Sequence, residues 1–409
     1  MKTSRKLAAI GLATLVSASV PSSFADEPSN LNEWIGNGSL VLNERLRYEF
    51  VDQDGLDKGN ALTLRSRIGW QTASMNGLTA AVDFENVVAA DTGAYGLPGL
   101  TRGKGVVADN EVTEFNQYFL DYKSDAFSAK FGRQRWILDN ARFVGNVGWR
   151  QNEQTFDAAV FGFKPSGTSN IQLGYIDNVN RILGNDGTNP GLTNLESDSI
   201  LVNGAFDIAP EFKLSTFAYL LDFENAAALS SDTYGFRATG AIPSSDDFKL
   251  SYAASYALQG DNSGSIAGSD FEADYYSAEL TGKFKGGSLT LGYEVLGSDN
   301  GVSFKTPLAT LHAFNGWADK FLGTPGSGLE DLYLSYNTKI GEFPVALVYH
   351  DFSSDINGID YGSEIDGLVK YAFGNGVVSI FKISYYDADN FATDTTRFSL
   401  QFDYAFTKK

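Results

Sequence analysis

Arginines spaced two residues apart are the side chains in this sequence with the clearest chemistry. Arg45 and Arg47 alternate with apolar neighbours, and Arg65 and Arg67 repeat the arrangement. Side chains at i and i+2 of a strand share one face, so two adjacent antiparallel strands would gather four guanidiniums into one patch. A guanidinium is always charged and binds carboxylate or phosphate through paired N–H donors. The spacing therefore predicts recognition of anions.

The same alternation places three further cations on the polar side of their segments. They are Arg237, Lys382 and Arg397. Acidic residues share this side, namely Asp83, Glu85, Glu279, Glu364 and Asp366. Two interpretations stay open at this point: the cations select anions inside a pore, or cations and acids neutralise one another.

Strands must position these side chains, and the alternation that strands require recurs along the chain. The segment RFSLQFDYAF, residues 397–406, places aromatic and aliphatic residues on one face and polar residues on the other. Similar segments follow one another with hardly any helical pattern between them, which is typical of an outer-membrane barrel. The predicted strands are 39–50, 61–72, 78–87, 113–123, 127–135, 153–163, 170–177, 198–208, 213–222, 232–242, 248–257, 272–284, 288–296, 329–339, 343–352, 363–373, 377–386 and 396–406.

We therefore predict an all-β fold, a single transmembrane antiparallel β-barrel of about 18 strands that accounts for residues 26–409. Short turns would face the periplasm, at 75–77, 123–125, 286–287 and 374–376. Long extracellular loops are expected at 91–110, 178–197, 297–328 and 387–395. Glu44 breaks the pattern, because it falls on the lipid-facing side of the first strand. Such a residue is tolerable only near an interface or at a bulge.

Residues 1–25 have the features of a signal peptide. Lys2, Arg5 and Lys6 precede an uncharged run over 7–20, and small residues at 23–25 suit a signal peptidase. We expect cleavage after Ala25 and a location in the outer membrane of a Gram-negative bacterium. The uncharged run is shorter than the roughly 20 apolar residues that a spanning helix needs.

Composition and motifs exclude several classes of function. The chain has no cysteine, so it has no disulfide framework, thiolate metal site or cysteine nucleophile. A net charge of −19 argues against nucleic acid as a partner. The sequence contains two histidines, His312 and His350, and no Gly-x-Ser-x-Gly, His-Glu-x-x-His or phosphate-loop motif. We therefore predict that the protein is not an enzyme and needs no nucleotide or redox cofactor.

The most individual segment is FGRQRWILDNARFVGNVGWRQNEQTFDAA, residues 131–159. Its GRQ strand end, RFVG element and GWRQN…TFD stretch occur in this order in the alginate-export family of bacterial outer-membrane porins, which the chain resembles. The resemblance implies an 18-strand barrel with a basic constriction that conducts an acidic polysaccharide or smaller anions. It also favours a monomer.

Carried over by these motifs, Arg133, Arg135, Arg142 and Arg150 are candidates for narrowing the pore. Strand alternation from residue 127 onward would instead turn Arg133 and Arg135 toward lipid. A bulge at Gly132, or a strand end above the bilayer, would resolve this conflict. The alternative for the whole segment is a rim loop whose Trp and Arg residues anchor at the membrane interface.

The sequence thus predicts a passive outer-membrane channel with an arginine-lined constriction for acidic oligo- or polysaccharides. An alternative is a general or small-carboxylate uptake porin. More remote alternatives are an outer-membrane enzyme and an adhesive or structural barrel, whose acidic loops at 52–57 and 353–360 could hold calcium. Expected partners are outer-membrane lipid and lipopolysaccharide, an anionic saccharide or small anion in the lumen, and periplasmic proteins if a polymer is exported.

Overall fold

The computed structural model of the chain describes residues 27–184, 190–245, 247–262 and 270–408. These residues form an antiparallel sheet of 18 strands that closes on itself, because the first and last strands pair from Leu40 with Lys408 to Gln53 with Thr395. The predicted all-β barrel of about 18 strands is confirmed. The predicted signal peptide, residues 1–25, lies outside the described residues.

Each barrel strand pairs with the next along the chain, and two short strands form a hairpin within one loop. The strands are β1 (Ser39–Gln53), β2 (Gly59–Gln71), β3 (Leu78–Ala89), β4 (Val112–Lys123), β5 (Phe127–Gln134), β6 (Thr155–Ser166), β7 (Ser169–Asn180), β8 (Asn194–Ala209), β9 (Phe212–Leu221), β10 (Ser231–Ile242), β11 (Lys249–Gly260), β12 (Glu272–Phe284), β13 (Gly287–Leu296), β14 (Ser298–Asp299), β15 (Val302–Ser303), β16 (Leu329–Ile340), β17 (Phe343–Ser353), β18 (Asp360–Ala372), β19 (Val377–Ala388) and β20 (Thr395–Lys408). Two short helices are α1 (Leu31–Gly36) and α2 (Pro190–Thr193). No helix within the described part of the chain is long and apolar enough to cross a membrane.

The two faces of the strands meet different surroundings. On β2, Leu62, Leu64 and Ile68 are exposed, whereas Arg65 and Arg67 between them are buried. The exposed apolar side chains form the outer face, which is the arrangement of a barrel whose outside contacts hydrocarbon and whose inside is polar. The inward position of the arginines therefore follows directly from the strand period.

Two long connections fold into the barrel instead of standing above it. We call residues 135–154 the β5–β6 loop and residues 297–328 the β13–β16 loop. They join in a short parallel bridge, in which the Gly145 amide donates to the Leu308 carbonyl oxygen at 2.9 Å and the Thr310 amide donates to the Ala141 carbonyl oxygen at 3.0 Å.

The core of the molecule lies inside the barrel, where these loops pack against the inner wall. Trp136 and Val144 of the β5–β6 loop belong to one buried cluster with Phe217 of β9 and Phe304 of the β13–β16 loop. This cluster also explains one difference from the predicted boundaries, since 178–197 was expected to be a long loop. Strands β7 and β8 continue to Asn180 and from Asn194, because their ends bury apolar side chains in the cluster.

A constriction held by arginines

The four arginines of β1 and β2 lie together in the lumen, as their spacing predicts. Arg45 and Arg65 are directly opposite each other in the strand register. Arg45 Nη1 donates to the carbonyl oxygens of Gly148, Trp149 and Arg150, each at 3.1 Å. Its Nε donates to the Asp403 carboxylate at 2.7 Å. The guanidinium thus holds three successive peptide groups of the β5–β6 loop against the wall.

Arg47 extends this attachment. Its Nη1 donates to Asp109 at 3.0 Å, its Nη2 donates to the Trp149 carbonyl oxygen, and Gln401 accepts from the same guanidinium. The Arg47 Cζ lies 4.2 Å from the centre of the Trp149 ring, a cation–π contact. The side chain has no exposed surface, because the loop and the barrel wall cover it completely.

Arg65 and Arg67 differ in their partners. Arg67 pairs with Glu85 and lies 3.0 Å from Glu153 of the β5–β6 loop. Arg65 donates to the Gln151 carbonyl oxygen at 3.3 Å and to the Asn43 side chain. Within the described residues no carboxylate oxygen lies within 4.0 Å of the Arg65 guanidinium. Arg67 is therefore an ion-pair anchor, whereas Arg65 binds neutral oxygens.

The arginines carried by the β5–β6 loop reach acids on other parts of the barrel. Arg142 Nε donates to Glu294 of β13 at 2.7 Å. Arg150 lies 3.1 Å from Glu49 of β1 and 2.6 Å from Asp319 of the β13–β16 loop. Burial disfavours both guanidinium cations, but the neighbouring carboxylates prevail and raise the pKa of Arg142 and Arg150 above the usual value. Both remain charged and tie the loop to the wall and to the second loop.

Arg397 and Lys382 complete the network from β20 and β19. Arg397 Nη1 lies 2.6 Å from Glu49 and 3.2 Å from Asp319. Lys382 Nζ lies 2.7 Å from His312 Nε2 and 3.8 Å from the centre of the Trp317 ring. The predicted lumen positions of these two cations agree with the structure, although both face loop side chains.

His312 lies between Lys382 of β19 and Asp319 of the β13–β16 loop. Its ring stacks on Trp149 with 4.8 Å between ring centres, and Nδ1 lies 2.6 Å from Asp319. Burial lowers the pKa of His312 to about 3, and the Lys382 ammonium adds to this effect against the opposing Asp319. The neutral ring therefore donates from Nδ1 to Asp319 and accepts at Nε2 from Lys382. Both nitrogens are occupied, which leaves none for proton transfer to a solute.

Three candidates remain, and one of them is outside the lumen. Arg133 pairs with Asp157 at 2.8 Å and packs 5.4 Å from the exposed Tyr118 ring, on the outer face of β5. The register with β6 runs unbroken through Gly132, so no bulge turns Arg133 inward. Its predicted pore role is wrong for this reason.

The other two lie inside. Arg135 follows the end of β5, where alternation no longer applies, and its Nε donates to Glu153 at 2.6 Å. Its side chain is 36% exposed, so it is the most open of the predicted lumen cations. Arg237 lies on β10, donates to Ser255 at 3.0 Å and lies 3.7 Å from Glu279.

The alternative that 131–159 is an interfacial rim loop is wrong, because Trp136 is buried and Trp149 stacks inside the barrel. Sequence reasoning missed several carboxylates that complete the network. Glu49 could have been found, since it shares the face of Arg45 and Arg47. Asp109 and Asp319 lie in loops, where no periodicity shows which side chain turns inward. Among the described residues no group of three or more His, Asp or Glu side chains could hold a metal ion.

A cavity of about 170 Å³ lies beside the network, lined by the two inward loops, the β3–β4 and β7–β8 connections, and two strand residues, Gln53 and Arg397. Its charged lining consists of Arg150, Arg181, Lys320 and Arg397 with one carboxylate, Asp319. Its apolar lining is Pro98, Val106, Ala108, Val147, Ile182, Pro307, Ala309, Leu311, Ala318 and Leu322. Burial lowers the pKa of Lys320 to about 8, so the amine is mostly charged at pH 7. The charged side chains that line the cavity are thus mainly cations, and most of the remaining lining is apolar.

Comparison with known proteins gives the context for this architecture. The family model described as alginate export matches residues 39–169, which confirms the resemblance over that stretch. Pseudomonas aeruginosa OpdK, in a crystal structure with vanillate, has a TM-score of 0.74 and 13% identity, covering 92% of this chain and 100% of that chain. The chain has the fold of an outer-membrane porin. The predicted location in the Gram-negative outer membrane is confirmed by this porin fold.

Two further solved structures match the porin fold as well. Acinetobacter baumannii OccAB4 has a TM-score of 0.72 and 14% identity, covering 91% of this chain and 98% of that chain. Pseudomonas aeruginosa OccK9 (OpdG) has a TM-score of 0.73 and 14% identity, covering 92% of this chain and 100% of that chain. No curated protein matches the sequence.

Proposed function

We propose that this porin is a passive channel for small organic carboxylates, and that solutes pass through the cavity beside the arginine network. The observation that carries the proposal is the lining of that cavity. Four cations and one carboxylate line it, and the rest of the lining is mainly apolar. Such a site suits a molecule with a carboxylate at one end and a hydrocarbon body at the other.

The size of the cavity favours a small solute over a polymer. An apolar cavity of roughly 150 Å³ accommodates one benzene molecule, so a cavity of about 170 Å³ suits a ring-sized carboxylate. A polysaccharide chain needs a continuous path, yet both inward loops are attached to the barrel wall and to each other. Releasing them would break buried ion pairs such as Arg142 with Glu294.

A structural neighbour supports the same solute class. OpdK was crystallised with vanillate, an aromatic carboxylate. The second candidate, conduction of acidic oligo- or polysaccharides, is favoured by the alginate-export match over residues 39–169. We place it second because the matched stretch includes the β5–β6 loop. The arginines of this loop fix it inside the lumen, so that only small cavities remain for a solute.

In this proposal the wall arginines act mainly on the loops. Arg45, Arg47 and Arg67 are buried and bonded to loop oxygens or carboxylates. Anion preference then comes from the cations that line the cavity, Arg181, Lys320 and Arg397, and from the more exposed Arg135 beyond it. Flow follows the concentration gradient, so uptake requires only a transporter downstream.

Block of single-channel current distinguishes the two candidates. Purified porin in planar bilayers is exposed to benzoate and, separately, to uronic-acid oligomers of increasing length. The proposal predicts that benzoate at millimolar concentration interrupts the current and that longer oligomers do so no better than the monomer. Block that strengthens steadily with oligomer length, with no effect of benzoate, would contradict it and support the saccharide channel.

A further inference from the structure

Two carboxyl groups of β18 face each other inside the barrel. Glu364 and Asp366 are two residues apart on this strand, so both side chains point into the lumen. Their carboxyl groups are within hydrogen-bonding reach of each other. Glu364 is 1% exposed and Asp366 is 0% exposed. We call these two residues the acid pair.

The acid pair holds part of the β13–β16 loop against the wall. The Ala318 amide donates to Glu364 Oε1 at 2.7 Å, and the Trp317 amide donates to Asp366 Oδ2 at 3.3 Å. Gly316 packs so closely that a Cβ atom added to it would lie 2.4 Å from Glu364 Oε2. The backbone of residues 316–318 therefore covers both carboxyl groups.

Each carboxyl group of the pair has one oxygen left over. Among the described residues no hydrogen-bond donor reaches Glu364 Oε2 or Asp366 Oδ1, although both atoms are buried. Two ionised carboxylates in contact repel each other strongly in a buried site, whereas one shared proton gives a hydrogen bond between them. A proton between these two oxygens would satisfy both atoms at once.

The titratable groups around the acid pair belong to every element packed against it. They are Asp331 of β16, His350 of β17, Lys382 and Tyr386 of β19, and Asp319 and Lys320 of the loop. His350 Nδ1 lies 2.8 Å from Asp331, and its Nε2 is 3.7 Å from Asp366, beyond hydrogen-bond distance. Lys382 Nζ lies 2.7 Å from His312 Nε2. These two cations therefore attract the pair without donating to its two remaining oxygens.

We propose that the acid pair shares one proton and that loss of this proton releases residues 316–318 from the barrel wall. With the proton present, the pair carries one negative charge and accepts both loop amides. Without it, two buried carboxylates repel each other and are better hydrated when the loop moves away. Ala318 lines the cavity, so its movement widens the path. The inference goes beyond the proposed solute class, because the loop obstructs the lumen for any solute.

The direction of the pH effect follows from proton linkage. The covered pair binds one proton more than the same acids bind once water reaches them, so rising pH favours the uncovered state. Each pH unit weakens the attachment by up to about tenfold while this difference persists. The ion pairs of Asp319 with Arg150 and Arg397 hold the next residue of the loop, so the movement is confined to residues 316–318.

Single-channel conductance in potassium chloride tests the proposal without any organic solute. Wild type is expected to pass from a low, quiet conductance at pH 6 to a higher, noisier one at pH 9. Glu364→Gln keeps the shape and the single negative charge of the protonated pair, so it should lose this step and stay in the low state. Asp366→Asn should do the same. Absence of the step in wild type would overturn the proposal, and so would a step that persists in either variant, because Lys320 is intact in both.

Glu279→Gln is the matched control. Glu279 is also an inward carboxylate on a strand, but it lies on β12 and accepts from the Tyr333 hydroxyl at 2.5 Å. This variant should keep the conductance step, and its loss there would overturn the proposal. Heat-modifiable migration confirms that each variant is a folded barrel.

Hydrogen exchange of the Trp317 and Ala318 amides measures the two loop hydrogen bonds themselves. Wild type and Glu364→Gln are compared at the same pH, so that the base catalysis of exchange cancels. We expect wild type to exchange faster, by a factor that grows up to about tenfold per pH unit between pH 6 and pH 8. Equal rates in the two proteins at both pH values would overturn the proposal.

Discussion

The two halves of the β5–β6 loop are held in the lumen by different forces. Residues 136–144 bury Trp136, Leu138 and Val144 in an apolar cluster on the inner wall. Residues 146–154 instead present their backbone oxygens and Glu153 to arginines on β1 and β2. The first attachment depends on buried area, and the second depends on charge and hydrogen bonding.

This difference shows why a basic patch in a pore does not by itself identify the surface that the solute meets. Arg45 and Arg47 have the geometry for binding carboxylates, but their donors are directed at the loop and at Asp403, Asp109 and Gln401. Both side chains hold the β5–β6 loop inside the barrel. In the proposed function the solute instead meets the cations that line the cavity.

The largest expected effect comes from leaving a buried acid unpaired on the polar side. Arg67→Ala removes the ion-pair partner of Glu85, whereas Glu153 keeps Arg135, and breaking a buried ion pair costs about 3–5 kcal/mol. We expect a lower urea midpoint in detergent micelles and larger, noisier single-channel currents. An unchanged midpoint would mean that the polar half contributes little to holding the loop.

On the apolar side, Leu138→Ala is expected to reduce the free energy of unfolding by about 2–5 kcal/mol, because it opens a cavity at a fully buried position. The control is Ile137→Ala, since Leu138 is 2% exposed and its neighbour Ile137 is 48% exposed. The control should change stability by about 0.5 kcal/mol or less. Equal losses in both variants would show that the apolar half is not packed as described.

Arg65→Gln sharpens the comparison within the polar half. Arg65 contacts neutral oxygens, so its removal strands no carboxylate. We expect a loss of about 1.5–3 kcal/mol, less than for Arg67→Ala. Urea unfolding of the two variants under identical conditions measures the difference, and a larger loss for Arg65→Gln would contradict the assignment of Arg67 as the ion-pair anchor.

The smallest effect concerns pH. Because the pKa of Lys320 lies at about 8, raising the pH from 7 to 9 converts the ammonium to a neutral amine and removes one positive charge from the cavity. The anion preference of wild type should fall over this interval. Lys320→Gln should have the lower preference at pH 7 and nearly the same preference as wild type at pH 9. Reversal potentials recorded at pH 7 and pH 9 test this, and an identical decline in the variant would assign the titration to another group.

Much of this molecule could be predicted from sequence, because a strand period of two shows directly which residues face inward. It predicted the barrel, the strand number and the lumen positions of Arg45, Arg65 and Arg397. Alternation failed for Arg135, which follows the end of β5 and lies inside the barrel. Strand alternation correctly turned Arg133 outward, but the motif resemblance pointed to the lumen, and the unbroken register through Gly132 shows that alternation prevails.

Loop partners were beyond prediction for a different reason. Asp319 meets Arg150 from a position 169 residues away in sequence, and such contacts depend on how two loops fold together. The acids and arginines that share the barrel face were recognised as possible partners. Whether they would pair with one another or with loop groups could not be decided, because that depends on loop backbone atoms such as the Trp149 carbonyl oxygen.

The central claim is that the cations lining the cavity, and not the arginines of β1 and β2, set anion preference. Reversal potential under a salt gradient tests it most directly, measured for wild type, for Arg65→Gln and for Lys320→Gln combined with Arg181→Gln. The account predicts an anion-selective wild type, a similar potential for Arg65→Gln and a marked shift toward zero for the cavity double variant. Loss of selectivity in Arg65→Gln with none in the double variant, or cation selectivity in wild type, would contradict it.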